Sequence, residues 1–143
     1  MKIAIGNDHA GVEMKKSLMT YLADKYGHEF LNIGTDTEDS VDYPVIGRQV
    51  AGLVADGSAV KGIIICGTGI GISMAANKVK GIRAALCTTE FDAEMASKHN
   101  DANVLSLGAR TTSIEDAIKI ADVWITTDFE GGRHQRRVDL IEG

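Results

Sequence analysis

Short apolar runs alternate along the chain with longer segments in which apolar residues recur at helical spacing. Four of the short runs are followed by a glycine, a threonine or another turn-forming residue, and they predict buried strands at residues 2–5, 61–66, 82–87 and 103–107. A fifth strand at 29–33 contains fewer apolar residues and is followed by Gly34. The longer segments predict helices at residues 12–26, 45–55, 72–78, 91–98, 114–126 and 132–141.

This alternation of strands and helices predicts an α/β fold in which a parallel sheet is covered by helices on both faces. The length and the lack of a linker favour a single domain over residues 1–143. In such sheets, ligands bind beyond the carboxyl ends of the strands, where the strand order reverses. If the first and third strands are neighbours there, the segments after Ile5 and Ile65 face one crevice.

Composition and charge exclude several classes of protein. Hydrophobic residues make up 44% and charged residues 24% of the chain, as in an ordinary globular protein. The net charge of −5 argues against a nucleic-acid partner. No apolar stretch approaches the roughly 20 residues of a membrane helix, and the apolar run after Lys2 is too short for an export segment. We therefore expect a cytoplasmic protein with no membrane partner, whose two cysteines are free thiols.

A glycine-rich loop follows the third predicted strand and begins with Cys66. Gly67, Gly69 and Gly71 would let backbone N–H groups approach a phosphate or a developing oxyanion closely, and a thiolate is favoured where a helix begins. A buried cysteine that only fills space at a strand end is the alternative for Cys66. A dinucleotide-binding fingerprint is the alternative for the loop, but it would need glycine at Ile72.

Two further segments combine histidine with polar neighbours. Asp8 and His9 follow the first strand, where they could handle protons, although Asp8 could equally cap the next helix. His99 and Asn100 follow the fourth helix, where a histidine could simply interact with the helix dipole. The sequence alone leaves both alternatives open.

The only dense basic cluster lies near the C-terminus. Arg133 and Arg137 are four residues apart and therefore share a helix face, which suits a phosphate dianion, although a solvated basic surface is the alternative. Arg110, after the last strand, could add a further positive charge. No closely spaced set of histidine, cysteine and carboxylate residues indicates zinc, so we expect no metal.

Seven motifs together resemble the ribose-5-phosphate isomerase B family, which also includes galactose-6-phosphate isomerase subunits. They are Gly-Asn-Asp-His-Ala-Gly at 6–11, Asp-Tyr-Pro at 42–44, Cys-Gly-Thr-Gly-Ile-Gly-Ile-Ser at 66–73, Ala-Asn-Lys at 76–78, Gly-Ile-Arg-Ala at 81–84, His-Asn-Asp-Ala-Asn-Val at 99–104 and Glu-Gly-Gly-Arg-His at 130–134. They span nearly the whole chain in order. The chain departs from the usual family pattern at Asn7, where cysteine or serine is common.

The resemblance implies a Rossmann-like α/β/α sandwich around a five-stranded parallel sheet. It also implies a homodimer or tetramer whose active sites are shared between subunits, with no cofactor. One subunit would supply Asp8, His9, Tyr43 and the loop from Cys66 to Gly71. The other would supply the remaining residues, namely His99, Asn100, Arg110, Arg133 and Arg137.

The resemblance also implies a mechanism for a small phosphorylated sugar. Cys66 would move a proton between adjacent carbons through an enediolate, and Thr68 would assist proton movement between the oxygens. His99 and Asp8 would open the sugar ring. The enediolate would be held by the backbone N–H groups of Gly67, Gly69, Ile70 and Gly71. The phosphate would be held by the cationic side chains of His9, Arg110, Arg133 and Arg137. A six-carbon phosphosugar isomerase and a non-catalytic nucleotide- or phosphate-binding module are the alternatives to an enzyme acting on ribose 5-phosphate.

Overall fold

The computed structural model describes residues 1–143 and contains five strands and six helices. The strands are β1 (Lys2–Asn7), β2 (Glu29–Gly34), β3 (Lys61–Cys66), β4 (Ala84–Leu86) and β5 (Val104–Gly108). The helices are α1 (Val12–Tyr26), α2 (Tyr43–Ala55), α3 (Ile70–Ala76), α4 (Glu90–Lys98), α5 (Ile114–Thr126) and α6 (Arg133–Glu142). A short 3-10 turn, His9–Gly11, connects β1 to α1. None of the helices combines the length and the apolar character needed to cross a membrane.

All five strands are parallel and lie in the order β2-β1-β3-β5-β4. The predicted adjacency of the first and third strands is confirmed, because Asn7 at the end of β1 pairs with Ile65 near the end of β3. On the other side of β3, Cys66 pairs with Gly108 at the end of β5. The segments that follow β1, β3 and β5 therefore leave the sheet side by side at its carboxyl edge.

The core lies on both faces of the sheet, as the predicted three-layer sandwich requires. Ile63 and Ile65 of β3 belong to a cluster that includes Trp124 of α5. Ile64, between them, points to the opposite face and packs in a second cluster that includes Ile72 of α3. Complete burial of one such side chain contributes about 1.5–3 kcal/mol, so these central strands hold the sheet in place.

The predicted helices and strands are found, but some of their ends differ. β4 has three residues, Ala84–Leu86, where residues 82–87 were predicted, because the backbone N–H of Ile82 still closes a turn onto Val79. α3 begins at Ile70, earlier than predicted, because Gly69 has a φ of 78° and turns the chain directly from the loop into the helix. Only glycine adopts that conformation without strain.

Candidate active site

The loop after β1 lies against the end of β3. The backbone N–H of Asp8 donates to the Ile65 carbonyl at 3.0 Å, across the two neighbouring strands. One carboxylate oxygen of Asp8 accepts from the N–H of Ala10 at 2.9 Å, so Asp8 does act as a cap, here of the 3-10 turn. His9 follows directly, and its Nδ1 atom is buried without a hydrogen-bond partner. This nitrogen is therefore a polar atom that the chain itself does not satisfy.

The loop after β3 is held by its own polar atoms. The Sγ atom of Cys66, which is 5% exposed, accepts from the N–H of Gly69 at 3.2 Å. Thr68 Oγ1 accepts from the N–H of Ile70 at 3.2 Å. Two of the four N–H groups that the resemblance assigns to an enediolate are therefore engaged within the loop. From below, the buried hydroxyl of Ser106 on β5 donates to the Gly69 carbonyl at 2.6 Å.

Two side chains cover the glycines of this loop. A Cβ atom at Gly71 would lie 2.5 Å from the ring of Tyr43, so the aromatic ring rests directly on the backbone. A Cβ atom at Gly67 would lie 3.2 Å from the guanidinium group of Arg110. The resemblance grouped Arg110 with His99, but within one chain Arg110 lies beside the Cys66 loop instead. Arg110 follows the end of β5, which pairs with Cys66, and its N–H donates to the Gly67 carbonyl at 2.9 Å.

A second group of predicted site residues surrounds His99 at the C-terminal end of α4. The imidazole rings of His99 and His134 are stacked, with centroids 4.2 Å apart and planes at 13°. His134 Nε2 lies 3.4 Å from a carboxylate oxygen of Glu130. Burial, followed by the charges of His99 and Arg133, lowers the pKa of His134 below its ordinary value. This side chain is therefore favoured in its neutral form.

The remaining basic residues extend this second group. Arg133 is the first residue of α6 and Arg137 follows one turn later, so both side chains leave the same helix face. The turn before α6 contains Gly131 and Gly132, whose φ values are 67° and 56°. Asn100 also lies here, and its carbonyl accepts from Arg83 Nε at 3.0 Å.

The two groups lie at opposite edges of the sheet. Cys66 and its loop follow the carboxyl end of β3, whereas His99 precedes β5 and thus lies at the amino edge. β5 runs from Val104 to Gly108, which corresponds to about 13 Å at roughly 3.3 Å per residue. A single chain therefore brings the first half of the predicted site residues together with Arg110 at one edge, and the rest of the second half at the other.

Several functional candidates escaped prediction. Ser106 is the one polar residue within the apolar run of β5, and that pattern was a usable signal. Lys15 is completely buried, and its Nζ atom donates to the Thr35 carbonyl at 2.9 Å and pairs with Asp36 at 2.7 Å. This anchor holds the segment that leads into Tyr43.

The metal prediction also overlooked a cluster. The imidazoles of His99 and His134 and the carboxylate of Glu130 each offer a ligand atom, and these atoms all lie within 4.8 Å of one another. Local spacing does not reveal these ligands, because His99 lies at the end of α4, far along the chain from Glu130 and His134. The segment around Glu130 is fixed to that helix by a hydrogen bond from the Glu130 N–H to the Lys98 carbonyl, 3.1 Å long.

Comparison with known proteins identifies the family of the chain. The model of the ribose/galactose isomerase family matches residues 3–141. Ribose-5-phosphate isomerase B of Escherichia coli is 46% identical over 140 residues, which cover 98% of this chain and 93% of that protein.

Solved structures give the same result. Ribose-5-phosphate isomerase B of Clostridium thermocellum has a TM-score of 0.96 and 49% identity, over 99% of this chain and 95% of that one. The enzyme of Mycoplasma genitalium, solved with bound ribulose-5-phosphate, has a TM-score of 0.94 and 43% identity, over 99% of this chain and 93% of that one. The resemblance drawn from the motifs is confirmed, and the chain belongs to the ribose/galactose isomerase family of enzymes.

Proposed function

We propose that the chain is an aldose–ketose isomerase that interconverts ribose 5-phosphate and ribulose 5-phosphate. The proposal takes its reaction from the named relatives in E. coli and M. genitalium. One observation about the chain itself carries it. A thiol in a glycine loop lies at one edge of the sheet and a histidine with two arginines at the other, as expected if each edge supplies half of an isomerase site.

The thiol half supports proton transfer between adjacent carbons. Cys66 is the proposed base, and the N–H donated by Gly69 fixes its sulfur atom toward the loop. Since Gly69 and Ile70 are engaged within the loop, the N–H groups of Gly67 and Gly71 are the first candidates to hold an enediolate oxygen. Thr68 lies between the two glycines and is proposed to shuttle the hydroxyl proton.

The histidine half supports ring opening and phosphate binding. His99 is proposed to open the sugar ring together with Asp8 from the thiol half. The two side chains would act on the ring oxygen and on the sugar hydroxyl that takes part in ring opening. Arg133 and Arg137 bind the phosphate from one side, and His9 and Arg110 approach it from the other. The sugar itself is lined by Asn100 and Tyr43. Binding energy used at that remote phosphate can position the reacting carbons.

A second copy of the chain has to complete each site, because the two halves of one chain are separated by the length of β5. The proposed assembly is a homodimer, alone or paired into a tetramer. The face around the thiol half carries exposed apolar side chains suited to such an interface, including Ile70, Met74, Leu86 and Phe91. A cytoplasmic location stays a prediction.

Subunit mixing tests the shared site. Cys66→Ala and His99→Ala are each expected to abolish activity, because each removes one half from every site. After unfolding and refolding together, half of the dimers are mixed and each mixed dimer has one intact site, so about a quarter of the wild-type activity should return. Mixing Cys66→Ala with Thr68→Ala is the matched control, since both changes lie in the same half and leave no intact site. Equal recovery in both mixtures, or in neither, would contradict the proposal.

A direct assay tests the substrate and the base. Purified protein is given ribose 5-phosphate or allose 6-phosphate, with Cys87→Ala as the control for Cys66→Ala, because Cys87 is also a buried free thiol. Activity on the pentose that survives in Cys87→Ala and is lost in Cys66→Ala is the expected result. Activity on the hexose alone would favour the six-carbon alternative, and binding of phosphosugars without turnover would favour a binding module.

A further inference from the structure

The cluster formed by His99, Glu130 and His134 offers chemistry beyond the ring opening proposed for His99. We propose that His99, Glu130 and His134 form a binding site for a divalent transition-metal ion, and that zinc bound there inhibits the enzyme. The site itself depends only on the geometry of the chain. The inhibition rests on the proposed function, because it requires His99 to be part of the active site.

The chemistry of the three side chains fits zinc. Two imidazoles and one carboxylate form a common set of protein ligands for zinc with an open fourth position. On a tetrahedral ion with bonds of about 2.1 Å, neighbouring ligand atoms lie about 3.4 Å apart. The Nε2 atom of His134 and the carboxylate of Glu130 are already separated by 3.4 Å.

The third ligand requires only a local movement. All three ligand atoms lie within 4.8 Å of one another, so His99 has to approach the other two by a small amount. Its ring is stacked nearly parallel on that of His134, so the in-plane nitrogen lone pairs of the two rings converge on one ion only after His99 turns out of the stack. His99 is partly exposed, so its ring is free to turn, whereas His134 is 7% exposed and fixed.

The backbone holds the three residues in register before any ion arrives. Glu130 is bound to the end of α4 through its N–H and the Lys98 carbonyl, at 3.1 Å. The N–H of His134 donates to the Gly131 carbonyl at 3.0 Å, and that of His99 donates to Met95 at 2.9 Å. Ion binding would therefore have to order the side chains of His99 and Glu130 but not the backbone that carries them.

Neighbouring charges set the strength of the site. Arg133 and Arg137 leave α6 next to His134, and their positive charges oppose a cation. The Glu130 carboxylate provides the only negative charge of the ligand set, so its removal would leave the ion facing the two arginines without compensation. When zinc holds His99, that imidazole cannot transfer a proton, and the phosphosugar and zinc should compete.

Cobalt spectroscopy tests the site without reference to activity. Titration of the intact protein with Co²⁺ should produce the visible absorption of a four-coordinate ion, at one ion per chain, with no thiolate charge-transfer band. Glu130→Gln should weaken binding of Co²⁺ and of Zn²⁺, measured by calorimetry, by at least about tenfold. Glu94→Gln is the matched control, because Glu94 is a neighbouring carboxylate that pairs with Lys98 and is outside the cluster. His134→Phe, which keeps the stacked ring but removes its nitrogens, should abolish the visible band.

The results separate the site from the proposed function. A thiolate band, binding that Glu94→Gln weakens as much as Glu130→Gln, or no binding at all would overturn the site. If cobalt binds as described, zinc should inhibit ribose 5-phosphate turnover, a chelator should reverse the inhibition, and Glu130→Gln should need at least about tenfold more zinc. Zinc binding without inhibition in an active enzyme would overturn the inhibitory role. Failure of the isomerase assay itself would leave the cobalt result standing and would count against the proposed function alone.

Discussion

Ser106 provides the sharpest test of how the core supports the thiol loop. It lies fully buried on β5, and its hydroxyl donates to the Gly69 carbonyl at 2.6 Å. Gly69 in turn donates its N–H to Cys66 Sγ at 3.2 Å. Ser106→Ala removes the hydroxyl and leaves a buried carbonyl without that donor, which costs about 1–3 kcal/mol of unfolding free energy.

The same chain contains a matched control. Ser97 on α4 is also buried, and its hydroxyl donates to the Trp124 carbonyl at 2.8 Å, away from the thiol loop. Ser97→Ala should therefore lower the unfolding free energy by a similar amount. If the Ser106 hydrogen bond contributes about 1.4 kcal/mol to positioning the loop for the reaction, its loss in Ser106→Ala should lower kcat/KM about tenfold. In Ser97→Ala, kcat/KM should stay near the wild-type value.

Urea unfolding followed by circular dichroism gives the stability of both variants, and ribose 5-phosphate turnover gives their kcat/KM. The unfolding free energy should fall in both variants, whereas kcat/KM should fall in Ser106→Ala alone. A Ser106→Ala protein that is destabilised yet retains wild-type kcat/KM would refute the link from Ser106 through Gly69 to Cys66. An equal loss of activity in Ser97→Ala would refute it as well, since the effect would then follow stability alone.

Other parts of the structure make separate predictions. Gly71→Ala should lower the thermal midpoint and raise KM, because its Cβ would lie 2.5 Å from the Tyr43 ring; an unchanged KM would show that the ring is not needed for binding. Burial raises the pKa of the Cys87 thiol to about 12, so the folded state favours the protonated form. The unfolding free energy should therefore decline between pH 9 and 12 more steeply than in Cys87→Ala, and equal slopes would contradict this. Lys15→Met should accelerate protease cleavage at residues 35–42, because the buried ammonium group holds Thr35 and Asp36; unchanged cleavage would show that this anchor is dispensable.

Much of the fold follows from local patterns. Apolar runs such as Ile63–Ile65 contain enough hydrophobic surface to require burial on both faces of a sheet, which is why the strands and the layers were predictable. β4 was the exception. Ile82 and Cys87 are as apolar as their neighbours, but Ile82 turns back onto Val79 and Cys87 only donates its N–H to Ser106, at an edge of the sheet where no second strand extends the ladder.

The site was predictable to a smaller extent. Cys66 and Asp8 follow strands, so chain order alone places them at the carboxyl edge, and the same rule could have separated Arg110 from His99. The contacts of Ser106 with Gly69 and of His134 with His99 connect residues that are distant in the chain. Such contacts depend on helix placement, which periodicity does not determine.

The strand order has a consequence for synthesis of the chain. β4 lies at the edge of the sheet and pairs only with β5, although β5 is translated after it. The first three strands can pair as soon as they leave the ribosome, whereas Ala84–Leu86 has no ladder to join until Val104–Gly108 has emerged and taken the place beside β3. Nascent chains that stall between these two strands would leave unpaired the edge of β3 that β5 later covers. A chaperone would therefore be needed most during this interval.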